Sequence, residues 1–372
     1  MVGASTSRYS GADRYEVAVN IAHEWPAGVP VVYIAKGTDY PDALSAGPAA
    51  AKEGGPLLLI LPDQVPDAVA AELGRLAPAK VVIVGGTNSV STGAEQAIRS
   101  IVPHADVERI GGADRYEASR NLVLHAFGQS GVTRLYVATG ANFPDALSAS
   151  AAAGALGGAV LLVNGGASGL DDAVPPVVAQ LHPQRAIVAG GPNSVSESVK
   201  NALGGLVSTT RIGGADRYEA SANINADAFP SASRVFLATG TKFADALAGG
   251  VLAGTLAAPL FVAPGNCVTQ ATADRVNAYG NTQRIILGGP NSVSDAAASM
   301  DVCPPPPPSA PPAPPTQPQQ PAKPADKDCK DFPNYAAAKA WYDTYFPYYR
   351  DIAKLDGDND GIPCESLPGA PK

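Results

Sequence analysis

The chain has 372 residues, 45% hydrophobic and 16% charged, with a formal net charge of −8. That acidity argues against a general nucleic-acid binder, whose affinity rests on basic residues, and no run reaches the 18 or more apolar residues of a membrane span. Met1 to Ser10 has no apolar signal-peptide core, so the numbering either starts after a removed signal or belongs to a cytosolic protein.

Taken in order, the chain reads as one unit of about 100 residues written three times. The first copy opens with Arg8-Tyr-Ser-Gly-Ala-Asp-Arg14-Tyr-Glu16, a partial form of Arg109-Ile-Gly-Gly-Ala-Asp-Arg115-Tyr-Glu-Ala118 and Arg211-Ile-Gly-Gly-Ala-Asp-Arg217-Tyr-Glu-Ala220. Asp-Ala-Leu follows at Asp42, Asp145 and Asp245, and Gly-Gly-(Thr/Pro)-Asn-Ser-Val-Ser at Gly85, Gly190 and Gly288. A period that long is too great for a solenoid and suits a small domain.

Within each copy, short and almost wholly apolar runs alternate with helical patterns. The runs are 31–35, 57–61 and 80–84 in the first copy, 134–138, 159–163 and 185–189 in the second, and 234–238, 260–263 and 284–287 in the third. Runs of that kind read as strands buried on both faces. Residues 145–156 and 170–181 are long enough for crossover helices, and the Gly-Gly-Ala-Asp-Arg-Tyr segment opens another helix over 116–127. The fold class is therefore α/β, in tandem modules with mainly parallel sheets. We place module boundaries at 1–107, 108–209 and 210–303.

Texture changes after Cys303. Residues 304–325 are mostly proline with small polar residues, a composition that forms no packed core and reads as an extended polyproline II spacer. A tail domain of under 50 residues follows at 326–372 and needs staples. Cys267, Cys303, Cys329 and Cys364 are confined to the end of the chain and include no Cys-x-x-Cys pair, which argues against zinc. Four cysteines allow three connectivities; pairing nearest neighbours gives Cys267–Cys303 and Cys329–Cys364, and free thiols are the other reading.

Four patterns bear on chemistry. In Asp356-Gly-Asp358-Asn-Asp360-Gly361-Ile362, carboxylates fall at positions one, three and five of a loop that glycine turns at position six. Hard oxygen donors so spaced suit calcium, with the Ile362 backbone carbonyl at position seven. Position twelve is Leu367 instead of glutamate, which leaves Glu365 as the nearby substitute; an acidic surface turn is the alternative. Upstream, Asn334 or its neighbour caps a helix, and Trp341, Tyr345 and Phe346 supply a small core. Asp42, Asp145 and Asp245 each begin a helix and read as caps that complement its dipole, and the Gly-Gly-x-Asn-Ser turn reads as a strand–helix connection whose Asn or Ser caps the next helix, with an anion cradle on helix-terminal N–H groups as the alternative. The repeated arginines Arg8, Arg14, Arg109, Arg115, Arg211 and Arg217 suit either a structural role or contact with phosphate and carboxylate groups. His23, His104, His125 and His182 recur at no shared position, and no nucleophile elbow or Walker loop is present, so we expect no enzyme.

The tail resembles the excalibur domain, an extracellular calcium-binding module of bacterial surface proteins. Cys329-Lys-Asp331-Phe332, the Ala-rich helix and Asp-x-Asp-x-Asp-Gly-x-x-Cys-Glu carry the resemblance. In that family the glutamate follows the second cysteine, so the resemblance implies Asp356, Asp358, Asp360 and Glu365 as side-chain ligands. The triplicated part, about 8–303, resembles the cell-wall-binding repeat 2 family through its three ordered motifs. That resemblance implies Rossmann-like or toprim-like modules in a pseudo-threefold monomer. It also implies a secreted protein held noncovalently on Gram-positive walls by an anionic, teichoic-acid-like polymer. The family's Pro-Ile-Leu-Leu strand is matched approximately at Pro56 and Pro259, whereas the second copy has Ala159-Val-Leu-Leu. Residues 1–325 carry 20 basic and 25 acidic side chains, a net −5, so polymer binding requires local basic clefts where modules meet. The rival readings are an adhesin whose tail binds a partner and an accessory to a wall hydrolase or nuclease.

Overall fold

In this computed structural model the described residues are 5–304 and 321–371. They form two compact units, divided between residues 304 and 305. Most of the expected spacer, residues 305–320, lies outside the described residues.

The apolar runs are strands, joined by helices that cover both faces. In chain order these are β1 (Thr6–Tyr9), β2 (Val31–Lys36), β3 (Leu57–Ile60), β4 (Lys80–Val84), β5 (Asp106–Ile110), β6 (Arg134–Thr139), β7 (Ala159–Val163), β8 (Arg185–Ala189), β9 (Thr209–Ile212), β10 (Arg234–Thr239), β11 (Leu260–Ala263) and β12 (Gln283–Leu287). Among the described residues they make three four-stranded parallel sheets, ordered β3-β2-β4-β5, β7-β6-β8-β9 and β11-β10-β12-β1. The third sheet is completed from the other end of the chain, with Thr6 opposite Arg284 and Tyr9 opposite Leu287. Each Arg-Ile (or Arg-Tyr) segment is thus an edge strand that finishes one sheet before the chain crosses to the next module. The boundary drawn at 107/108 falls inside β5, and that at 209/210 inside β9. These edge strands are short, half-exposed and polar, as in Thr209-Thr-Arg-Ile212, and lack the apolar signature of buried strands.

The modules meet through three helices, Ala46–Glu53, Pro144–Ala155 and Ala244–Thr255, that pack on one another. Alanine and glycine dominate them because backbones must approach closely. A Cβ built on Gly154 would lie 3.1 Å from the Cβ of Ala51 and 3.2 Å from the Cα of Gly254, so a larger side chain there would force the helices apart. These three positions are equivalent in the repeat, nine residues after each Asp-Ala-Leu aspartate. Phe143 and Phe243, at the starts of the second and third of these helices, and Tyr40, at the start of a short helix (Pro41–Leu44) just ahead of the first, pack edge to face in a closed trio, with ring centroids 5.4, 5.6 and 5.8 Å apart.

Buried polar pairs pin two of the three junctions. Ser45 and Ser119 share a hydroxyl hydrogen bond of 2.7 Å, as do Ser148 and Ser221. At the third junction the equivalent residues are Ala18 and Ala248, both buried. Both partners have become apolar together, which leaves no orphaned hydroxyl and avoids its desolvation cost of about 1–3 kcal/mol.

Disulfides link Cys267 to Cys303 and Cys329 to Cys364. Each closes a loop of about 36 residues, and a chain-entropy model assigns such a loop about 3–4 kcal/mol. In the tail, the Asn334 side chain accepts the Ala337 N–H and so caps a helix, Tyr335–Tyr349. Its core is Phe332, Ala338, Tyr342, Leu355 and Cys364, with Trp341 and Phe346 partly buried against it; Tyr345 packs on the Trp341 ring.

Candidate functional site

The three repeated motifs converge. At the C-terminal ends of β2 and β4, residues Lys36, Asp39, Asp42, Gly86–Ser89 and Gly112–Arg115 line one cleft of about 360 Å³. The second copy builds the same cleft from Asn142, Asp145, Gly191–Ser194 and Gly214–Arg217, with about 230 Å³. The third builds it from Lys242, Asp245, Gly289–Ser292 and Gly11–Arg14, with about 520 Å³. Neighbouring strands β2 and β4 lead away in opposite directions across their sheet, and such a switch point is where open parallel sheets hold ligands. The Gly-Gly-Ala-Asp-Arg wall comes from the crossing between modules, so each cleft lies at a junction.

The six repeated arginines divide into two sets. Arg8, Arg109 and Arg211 each donate to the carbonyl of the first glycine in the Gly-Gly loop, Gly288, Gly85 and Gly190, at 2.9–3.0 Å. They also pair with Asp295, Glu95 and Glu197. These three hold the loop in place. Arg14, Arg115 and Arg217 each use one N–H, donated to the carbonyl of Gly37, Gly140 or Gly240 at 2.6–2.8 Å. Their other donors make no hydrogen bond among the described residues, and all three side chains line the clefts.

The Asp-Ala-Leu aspartates are not caps. The N-cap positions are Tyr40 (of a short helix, Pro41–Leu44), Phe143 and Phe243, and Asp42, Asp145 and Asp245 sit two residues further in. Asp42 accepts the Ser89 hydroxyl instead, at 2.5 Å. The first glycine of each Gly-Gly pair has φ of +97 to +102°, and a Cβ there would strike the aspartate Oδ2 at 2.2–2.3 Å. Glycine is required on both counts. The expected turn holds: Ser91, Ser196 and Ser294, the last serine of each loop, cap the following helices.

Burial pushes the Asp145 carboxyl up, against the Ser194 hydroxyl and the charge of Arg217. Asp245 is raised for the same reason, against Ser292, Arg14 and Lys242. A carboxyl raised in the folded state stabilises the fold below its unfolded value, and that stability is lost as pH rises through the folded one. Ionised Asp145 therefore costs stability at neutral pH. Asp145→Asn keeps an acceptor for Ser194 and is expected to stabilise the protein at pH 7 by more than the ~0.5 kcal/mol scatter of surface substitutions. The gain should vanish below the ordinary aspartate value of 3.8. Urea denaturation at pH 7 and 3.5 measures both, and a variant less stable than the parent at pH 7 overturns the assignment.

In the tail, the structure brings Asp356, Asp358 and Asp360 together, with one carboxylate oxygen of each within 4.8 Å of the others. Calcium–oxygen distances of about 2.3–2.6 Å allow opposite ligands up to about 5 Å apart, so the cluster fits that ion. Burial raises the Asp356 carboxyl, but N–H groups of Gly361 and Asp360 and the Tyr342 hydroxyl together hold it below the usual range. The neighbouring charges of Asp358, Asp360 and Asp356 push the Glu365 carboxyl up, but the converging oxygens belong to the three aspartates and Glu365 is not among them. The Ile362 N–H donates to Asp360 at 2.8 Å.

The model of cell wall binding domain 2 (CWB2) matches residues 8–95, 109–200 and 211–298. The chain belongs to this family. Its CWB2 repeats are followed by an Excalibur calcium-binding domain at 326–365. Among curated proteins, the N-acetylmuramoyl-L-alanine amidase LytC of Bacillus subtilis (strain 168) is 28% identical over 295 residues, 79% of this chain and 58% of its own. An amidase enhancer of the same organism is 31% identical over 300 residues, 78% of this chain and 40% of its own. The chain thus spans about half the length of these relatives. Among solved structures, Cwp6 from Clostridium difficile matches with a TM-score of 0.73 at 29% identity, over 80% of this chain and 48% of that one. Cwp8 from the same organism matches in fold, with a TM-score of 0.72 at 22% identity.

The CWB2 matches begin at Arg8, Arg109 and Arg211, the arginines that anchor the loops. Sequence reasoning missed Asp42, Asp145 and Asp245 as cleft residues, because a helix start is their ordinary place. The signal available was the invariable Gly-Gly partner in all three copies. No described helix is long and apolar enough to cross a membrane.

Proposed function

We propose that the chain is a noncovalent, non-catalytic anchor that holds a secreted protein on the cell wall by binding an anionic wall polymer in the three junction clefts. One observation carries this reading: each cleft presents an arginine with uncommitted donors at a sheet switch point. An acidic group of the polymer takes the free N–H donors of Arg14, Arg115 and Arg217. Arg8, Arg109 and Arg211 act only by fixing the loop behind it. The clefts also contain aspartates, so recognition is local and does not depend on a basic surface. The shared region supports an anchoring role as well, since it recurs in an amidase and in an amidase enhancer whose remaining lengths lie outside it. The Excalibur domain binds calcium through Asp356, Asp358, Asp360, the Ile362 carbonyl and Glu365.

Co-sedimentation with purified walls tests the reading. Binding is expected before the anionic polymers are stripped and is expected to disappear afterwards. Equal binding to stripped walls would overturn the anionic-polymer assignment.

A further inference from the structure

Repeat 2 differs from the others at one place in two independent ways. The connection from its edge strand β7 to the next helix, Val174–Leu181, spans 164–173, ten residues. The equivalent connections span 61–66 and 264–269, six residues each. Repeat 2 also carries Arg120 on its motif helix, Arg115–Phe127. Register is secured by the next residue: Asn20, Asn121 and Asn223 donate to the carbonyls of Ser10, Gly111 and Gly213. The positions equivalent to Arg120 are therefore Val19 and Ala222, both buried and apolar.

The longer loop and Arg120 line one cavity of about 370 Å³, within the usual range of about 300–1,000 Å³ for ligand sites. Arg120 is half-buried and makes no hydrogen bond or ion pair among the described residues. All six motif arginines, by contrast, have at least one partner. A half-buried guanidinium without an acceptor is a cost that a bound anion removes. Tyr116 offers a ring beside it, and Asn164, Ser168 and Asp171 bring polar groups from the loop. Asp171 repels a bare multiply charged anion but accepts hydroxyls.

We propose that this cavity binds a sugar unit carrying one acidic group, carboxylate or phosphate. The guanidinium fork holds the acid, the loop residues hold the hydroxyls, and the sugar face lies against Tyr116. The site is separate from the three clefts, and it rests on the anchoring reading only for the wall as the source of the sugar.

Calorimetry of the full chain with glucuronate, glucose 1-phosphate and glucose tests the proposal. An acidic sugar is expected to bind at least tenfold more tightly than glucose. Arg120→Leu is expected to erase that preference and leave the melting temperature unchanged, since apolar side chains occupy the position in the other repeats. Arg120→Lys should retain part of it, as a point charge without the fork. Equal binding of glucose and both acidic sugars, or an unchanged preference in Arg120→Leu, overturns the proposal. Wall co-sedimentation separates the two readings: sugar preference without wall binding sinks only the anchor, and wall binding without sugar preference sinks only this site. Displacement of the probe by polymer released from walls identifies the wall as the source; no displacement identifies a free sugar.

Discussion

Replacing Arg14, Arg115 and Arg217 together by glutamine is expected to weaken binding to purified walls by about 100-fold or more. Each hydrogen bond to a charged group contributes roughly 1.5–3 kcal/mol, about tenfold or more per cleft. Because three clefts on one rigid unit engage one polymer, the losses compound through effective concentration. A single replacement should cost much less than the three combined. Glutamine is chosen because it still has an N–H to donate to the carbonyls of Gly37, Gly140 and Gly240. Arg109→Gln supplies the contrast. It removes the donor to Gly85 and one of the two arginine partners of Glu95, Arg99 being the other, so it should lower stability and leave the affinity per folded molecule intact. Wall titrations of folded protein would show the difference. A triple variant that binds like the parent would mean that the polymer lies elsewhere.

Removing calcium is expected to lower the melting temperature of the tail by about 10–20 °C and to leave the CWB2 repeats unaffected. At a calcium concentration about 100 times the dissociation constant, linkage adds about 2.7 kcal/mol, and a domain this small shifts by several degrees per kcal/mol. Asp356, Asp358 and Asp360 repel one another without a cation, and the tail core has only five buried residues with which to offset that. Asp358→Ala should abolish most of the response. Asp358 is exposed, whereas Asp356 is buried and accepts from Tyr342, Asp360 and Gly361, so substituting it would disturb the loop as well as the ligand set. Magnesium, which demands a tighter octahedral shell, should substitute poorly. We expect a dissociation constant on the order of 10⁻⁵ to 10⁻³ M. Scanning calorimetry of the full chain resolves the tail transition from that of the repeats. A tail transition indifferent to 10 mM calcium (about ten times the weakest expected constant) would sink the site.

What the amino-acid order determined by itself was local or repetitive. The aspartates of the tail loop lie within five residues of one another, so their convergence needs only a glycine turn. Buried parallel strands announce themselves as apolar runs, and a triplicated motif shows its period without any knowledge of contacts. The cysteines, two on either side of the proline run, suggest nearest-neighbour pairing within each part of the chain. Tertiary structure alone decided the rest, because the deciding partners are distant. Arg8 bonds to Gly288, 280 residues away, while Arg14, six residues further along, turns toward Gly37 and a cleft. One arginine lies on an edge strand and the other at a helix start, so neighbours in sequence meet different surroundings. Thr6–Tyr9 completes a sheet whose other strands begin at Arg234, a pairing that no local pattern encodes. Asp42 looks like a cap until the Gly85 loop is brought against it, and Arg120 looks like a solvated helix residue until a loop from beyond β7 is brought beside it to line one cavity.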